Sequence, residues 1–271
     1  MKQDLNKNKK KVLIFQKGTG FSVKNRNFIT NKPAMLKVEV CATSLQSIRH
    51  AQEAGADRIE LCSELTHGGI TPSYGFIKEA VRLSSLPIQC LIRPRSGNFI
   101  YNEDEFQIIL ENIRMAKQLG VAGIVLGFLT PKNDVHWEQL HQALAFAKPL
   151  EITFHRAFDL VRTPEEALGK FIELGINRVL CTGHPTQAVE GIETLKRWKS
   201  VTLGQIEIQP GGGINDHNCH WFVTHRFESV HLSAQIKTKQ GAPDSNEAIW
   251  EQPKEIADLE LLKKVVAICK P

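Results

Sequence analysis

Two short runs of the chain each place an acid and a thiol two residues apart: Glu39 with Cys41, and Glu60 with Cys62. In an extended strand that spacing turns both side chains to one face, so each run offers a carboxylate beside a sulfur. Further along, Ile92-Arg93-Pro94-Arg95 carries two guanidinium groups. Thr153-Phe154-His155-Arg156 with Asp159 gathers an imidazole, a guanidinium and a carboxylate, and a later run carries His231 and Ser233. Glu39, Glu60, His155 and Asp159 are candidate acid and base groups, and Glu39, Glu60 and His155 could together ligate a divalent metal. Arg93, Arg95 and Arg156 are candidate clamps for a carboxylate or phosphate. The amides of Gly211, Gly212 and Gly213, which follow Pro210, could cradle the same anion. Each feature also has a purely architectural reading. Inward charges can form matched ion-pair layers, cysteine is commonly plain core, and a triple glycine can be a tight turn without a ligand.

These residues need a scaffold that brings distant runs together, and the rest of the sequence supplies one. Eight strand-like runs are expected: 36–42, 58–63, 87–94, 123–129, 151–158, 178–183, 205–210 and 229–234. Between them the apolar residues recur at helical spacing, clearly so in 44–54, 103–119, 137–147 and 164–174. Gly55, Gly120 and Gly175 stand where helices should stop. Thr163-Pro164-Glu165-Glu166 reads as an N-cap, a proline at the first helical position and acids in the first turn. A repeated strand-helix order with eight strands points to a single-domain α/β fold, the (β/α)8 TIM barrel, over residues 35–271. An open doubly wound sheet is disfavoured, because no Gly-x-Gly-x-x-Gly follows the first strand. A helix over 259–268 would close the ring after a polar stretch, 237–255. In such a barrel the carboxyl ends of the strands form the functional face, and the chemical residues named above fall there.

Charge narrows the function classes. The chain has a net charge of +5, but residues 1–34 hold nine basic side chains against Asp4 alone, so the remainder carries −3. A mildly acidic body is not the basic surface that a phosphate backbone requires, and nucleic-acid binding is not expected. The first 34 residues read as a basic, disordered leader without the apolar segment of a secretory signal. No run of 18 apolar residues suggests a membrane span. The six cysteines are widely spaced and lack a Cys-x-x-Cys pair, so neither a disulfide framework nor a zinc ribbon is indicated.

At the residues that carry the chemistry, the sequence closely resembles the CutC family of copper homeostasis proteins. The resemblance spans 36 to about 235. It rests on Glu39-Val40-Cys41, on Ala54-Gly55-Ala56-Asp57-Arg58-Ile59-Glu60-Leu61-Cys62, on Gly68-Gly69 with Thr71-Pro72-Ser73, and on the arginine, histidine and glycine runs quoted above. It implies a cytoplasmic TIM barrel, commonly a homo-oligomer, that handles copper by binding Cu(I) through Cys41 and Cys62, with no organic cofactor indicated. Cu(I) is soft and tolerates low coordination numbers, and thiols on neighbouring strands can reach one ion. The alternative is an enzyme of unassigned reaction acting on a small anionic metabolite, phosphorylated or carboxylated, which would employ more of the charged residues. Ser96, Asn98 and Cys181 depart from the usual family pattern in loops at the mouth.

Overall fold

The computed structural model describes residues 35–238 and 254–271. The chain separates into two units, Met1–Lys32 and Pro33–Pro271, and every described residue lies in the second. The expected leader therefore falls outside the described residues.

Eight parallel strands make the frame: β1 (Lys37–Ala42), β2 (Arg58–Leu61), β3 (Ile88–Leu91), β4 (Gly123–Leu126), β5 (Glu151–Phe154), β6 (Arg178–Cys181), β7 (Glu207–Pro210) and β8 (Ser229–Leu232). They run in the order β7-β6-β5-β4-β3-β2-β1-β8, and a parallel bridge between Gly211 and His231 joins β7 to β8. The crossover helices are α1 (Leu45–Ala54), α2 (Tyr74–Leu83), α3 (Glu103–Gln118), α4 (Trp137–Ala147), α5 (Pro164–Leu174), α6 (Ile192–Thr202) and the short α7 (His220–Thr224), with α8 (Leu259–Cys269) last. Both faces of the strands are buried, as parallel barrels require. Residues such as Val38, Val40, Ile59, Ile124, Phe154 and Val179 pack outward with the helices in one large core. Their neighbours Cys41, Cys62, Leu91 and Val125 form a separate cluster inside the barrel.

Local signals account for most boundaries. Gly55 closes α1 at φ 83°, a left-handed conformation that glycine adopts without the steric cost a Cβ would bring. α3 begins with a reciprocal capping box, in which Asn102 accepts from the Glu105 amide and Glu105 accepts from the Asn102 amide. Several expected strands run too far, the third and fourth ending at Leu91 and Leu126, and other details differ. Proline and acids start α5 as read, but the Thr163 side chain makes no capping bond. The fifth strand stops at Phe154 instead of 158, because the Ala157 amide donates to His155 Nδ1 and the Phe158 amide to the His155 carbonyl, curling 156–160 into a 3₁₀ turn. Within the polar stretch before α8, the ends are an antiparallel pair, β9 (Gln235–Thr238) with β10 (Lys254–Ala257).

Candidate functional site

The inward residues form tiers. The lowest is ionic: Arg58 pairs with Glu39 and with Glu207, and Arg178 pairs with Glu207 and Glu151. Gln89 donates to Glu151, and the Ser229 hydroxyl donates to Glu207. This ring of alternating charge crosses the barrel from β2 to β7, so each buried ion has an opposite partner. Glu39 belongs to it. Burial alone would raise its carboxyl, but Arg58, His231 and Arg178 outweigh burial and hold it well below the usual carboxylate range.

The middle tier holds the thiols. Cys41 on β1 and Cys62, one residue past β2, have their sulfurs 3.3 Å apart, and both are buried. Contact with Cys62, burial and the neighbouring Glu60 raise the Cys41 thiol well above its ordinary range. Glu60 itself is raised by burial and by Glu39, against the opposing pull of His231. His231 links the two lower tiers: its Nδ1 is 2.8 Å from Glu39 Oε1 and its Nε2 3.5 Å from Glu60 Oε2. Burial would lower it, but these two carboxylates raise it. One donor atom from each of Cys41, Glu60 and His231 lies within 4.8 Å of the others, a sulfur-oxygen-nitrogen set with Cys62 alongside.

The upper tier walls a cavity of about 390 Å³, lined among others by Cys41, Glu60, Cys62, Arg93, Phe99, His155, Arg156, Gly212, Gly213 and His231. Arg93 is buried, and its guanidinium donates to the carbonyls of His67, Gly69 and Gly97. Its charge is therefore solvated by backbone, and among the described residues it pairs with no carboxylate. Phe99 lies between it and His155, 5.1 Å from the guanidinium carbon and 4.7 Å from the imidazole centre. His155 is pushed down to about 3 by burial and by Arg93, so it is a neutral imidazole at ordinary pH. Its Nδ1 accepts the Ala157 amide, which leaves the proton on Nε2, and that buried nitrogen has no partner among the described residues.

Several residues singled out in the sequence stand elsewhere or are already occupied. Arg95 is outside the cavity lining: it pairs with Glu105 at the start of α3, donates to the carbonyls of Ser96, Asn98 and Ile100, and covers Tyr101. The capping-box spacing Asn102 to Glu105 was the signal for that partner. Asp159 turns from the cavity. Its Oδ1 accepts the amides of Thr182, Gly183 and His184, and its Oδ2 accepts from Arg156 Nε at 3.2 Å. Glu39 sits beneath the cavity, and Gly211 supports its rim while only Gly212 and Gly213 line it. His231 was noted on the eighth strand but given no role. Its importance follows from the Glu39 to His231 register, which one strand's sequence does not contain.

A parallel (β/α)8 barrel with paired thiols beneath an open mouth defines the class of protein. The CutC family model matches residues 36–236, and the chain belongs to that family. A CutC family protein of Pasteurella multocida is 42% identical over 201 residues, covering 74% of this chain and 82% of the relative. The human copper homeostasis protein cutC homolog is 42% identical over 181 residues, covering 67% and 66%. Among solved structures, a CutC protein from Streptococcus agalactiae superposes with a TM-score of 0.70 at 33% identity, covering 73% of this chain and 99% of the other. No helix among the described residues is long and apolar enough to cross a membrane.

Proposed function

We propose that this protein serves copper homeostasis in the cytoplasm by binding one Cu(I) ion between Cys41 and Cys62. The supporting observation is the pair of buried sulfurs, 3.3 Å apart, at the floor of a cavity that leads to the mouth. A soft ion selects thiolates over the harder donors of Glu60 and His231, and two sulfurs suffice for its low coordination number. Binding requires the thiols to lose their protons, and the raised Cys41 thiol makes that loss, and so the affinity, depend on pH. The human relative's name, copper homeostasis protein, agrees with this role.

The test is metal analysis and a Cu(I) competition titration on the fully reduced chain, with the Cys41→Ala/Cys62→Ala double variant beside it. One tight equivalent, lost in the double variant, is the expected result. Absence of tight Cu(I), or tight Cu(I) retained by the double variant, would overturn the reading. A divalent ion held equally by both proteins would instead point to Glu60 and His231.

A further inference from the structure

The cavity is far larger than an ion, and its upper wall has no part in the thiol site. Its volume of about 390 Å³ lies in the range of small-molecule sites. Three features of that wall share one polarity. Arg93 is a buried cation without a carboxylate partner among the described residues, and its Nε is unpartnered. His155, also buried, offers an Nε2 proton that has no partner among the described residues. Among the described residues Arg156 binds Asp159 through Nε, and its two terminal nitrogens make no hydrogen bond while the residue lines the cavity.

The glycine run supplies the fourth element. Gly212 and Gly213 have φ of 113° and 72°, and a Cβ added at Gly212 would stand 2.8 Å from Thr182 Cγ2 and 3.6 Å from Arg156 Nη1. The close approach to Thr182 and the positive φ require glycine at 212, and the Arg156 guanidinium lies in ordinary contact range of the same loop backbone. Among the described residues the Gly213 amide donates to no protein acceptor. Successive turns of this kind present N–H groups to anions, and loops after the seventh strand are where barrels commonly hold them.

We propose that this upper wall binds a small organic oxyanion, a phosphate monoester or a free carboxylate, with Arg156 and the Gly212–Gly213 backbone on the anionic group and His155 Nε2 donating to a neutral carbonyl or hydroxyl oxygen. Arg93 contributes chiefly its field, because its terminal nitrogens donate to the carbonyls of His67, Gly69 and Gly97. A neutral imidazole donor suits an uncharged oxygen, since it places no second full charge beside Arg93. The site is independent of copper: none of its contacts is a thiol.

The probes are inorganic phosphate, glycerol 3-phosphate and glycerate, titrated into the reduced full chain and followed by calorimetry and ligand-detected NMR. Phosphate tests the anion pocket alone, and the two organic probes distinguish a phosphoryl from a carboxylate group. At least one organic probe should bind at millimolar concentration. Arg156→Gln should weaken every bound probe by about tenfold or more, the loss expected for one hydrogen bond to a charged group. His155→Asn keeps an oxygen to accept the Ala157 amide but removes the Nε2 donor. It should weaken the organic probes about fivefold, the loss of one ordinary hydrogen bond, and leave phosphate unchanged. The Cu(I) equivalents of both variants should equal wild type, which verifies their fold. No organic probe binding to the wild type, or binding that survives both substitutions, would overturn the proposal without touching the thiol reading.

Discussion

His155 should make the fold acid-sensitive in a way that one substitution removes. The imidazole is pushed from an ordinary 6.5 down to about 3, first by burial and then by Arg93. Between those values the unfolded chain takes up a proton at this position and the folded chain does not, so stability falls as pH falls. Each pH unit in that window is worth 1.36 kcal/mol, which gives about 2 kcal/mol lost between pH 8 and pH 5. Other groups titrate as well, among them Glu60 with its raised carboxyl. The measurement is therefore the gap between wild type and His155→Asn, taken from urea unfolding at pH 5, 6, 7 and 8. Lost packing against Phe99 offsets the two curves by a constant, while the titration closes the gap by about 2 kcal/mol toward acid. A gap that stays the same from pH 8 to pH 5 would refute the reasoning. His155 would then titrate as an exposed imidazole does, and could not stand as a permanently neutral donor.

Cu(I) affinity should rise with pH, by about tenfold per unit for each thiol that must be deprotonated. The raised Cys41 alone guarantees one such factor, checked by competition titration from pH 6 to pH 8; a flat profile would exclude thiolate ligation. Glu39→Ala should cost roughly 3–5 kcal/mol in urea unfolding, because it removes one of the two carboxylates paired with the buried Arg58 and the acceptor of His231. The depressed Glu39 carboxyl stabilises the fold above the ordinary carboxylate range and loses that contribution as pH falls toward its folded value, so the cost of the substitution should shrink in acid. Asp159→Asn should cost about 1–3 kcal/mol by weakening the three amide bonds that hold the loop after β6, while Cu(I) stoichiometry stays at the wild-type value.

The fold was legible because its signals are local and repeated: eight apolar runs, helical spacing between them, glycine stops. The same locality explains the misread ends. The fifth strand is cut short by a histidine that caps its own turn, a choice between hydrogen-bond partners that apolar pattern does not report. The site was legible residue by residue and not in its pairings. Arg93 and Arg95 look equivalent in the sequence, yet one is walled in by carbonyls at the cavity and the other holds Glu105 outside it. Period-two alternation placed Glu39 and Cys41 on one face, but their different depths, and hence their different tiers, depend on which residues the neighbouring strands bring level.

That register also explains how one barrel can hold reactive groups that conflict. Glu39 and Glu60 would repel one another at the centre of a low-dielectric core. His231 stands between them, and Arg58 draws Glu39 toward the ionic floor. Among the described residues no carboxylate pairs with Arg93, so its charge contributes a positive field to the upper wall. The ion-pair layer is therefore more than a replacement for apolar packing: it holds Glu39 at the floor, beneath both the thiols and the upper wall. Charge reversal in the floor should then be felt above it. Arg58→Glu, if it folds, would add a negative group beneath the thiols, raise Cys41 further and weaken Cu(I) at neutral pH more than at alkaline pH, a difference that titrations at the two pH values would read directly.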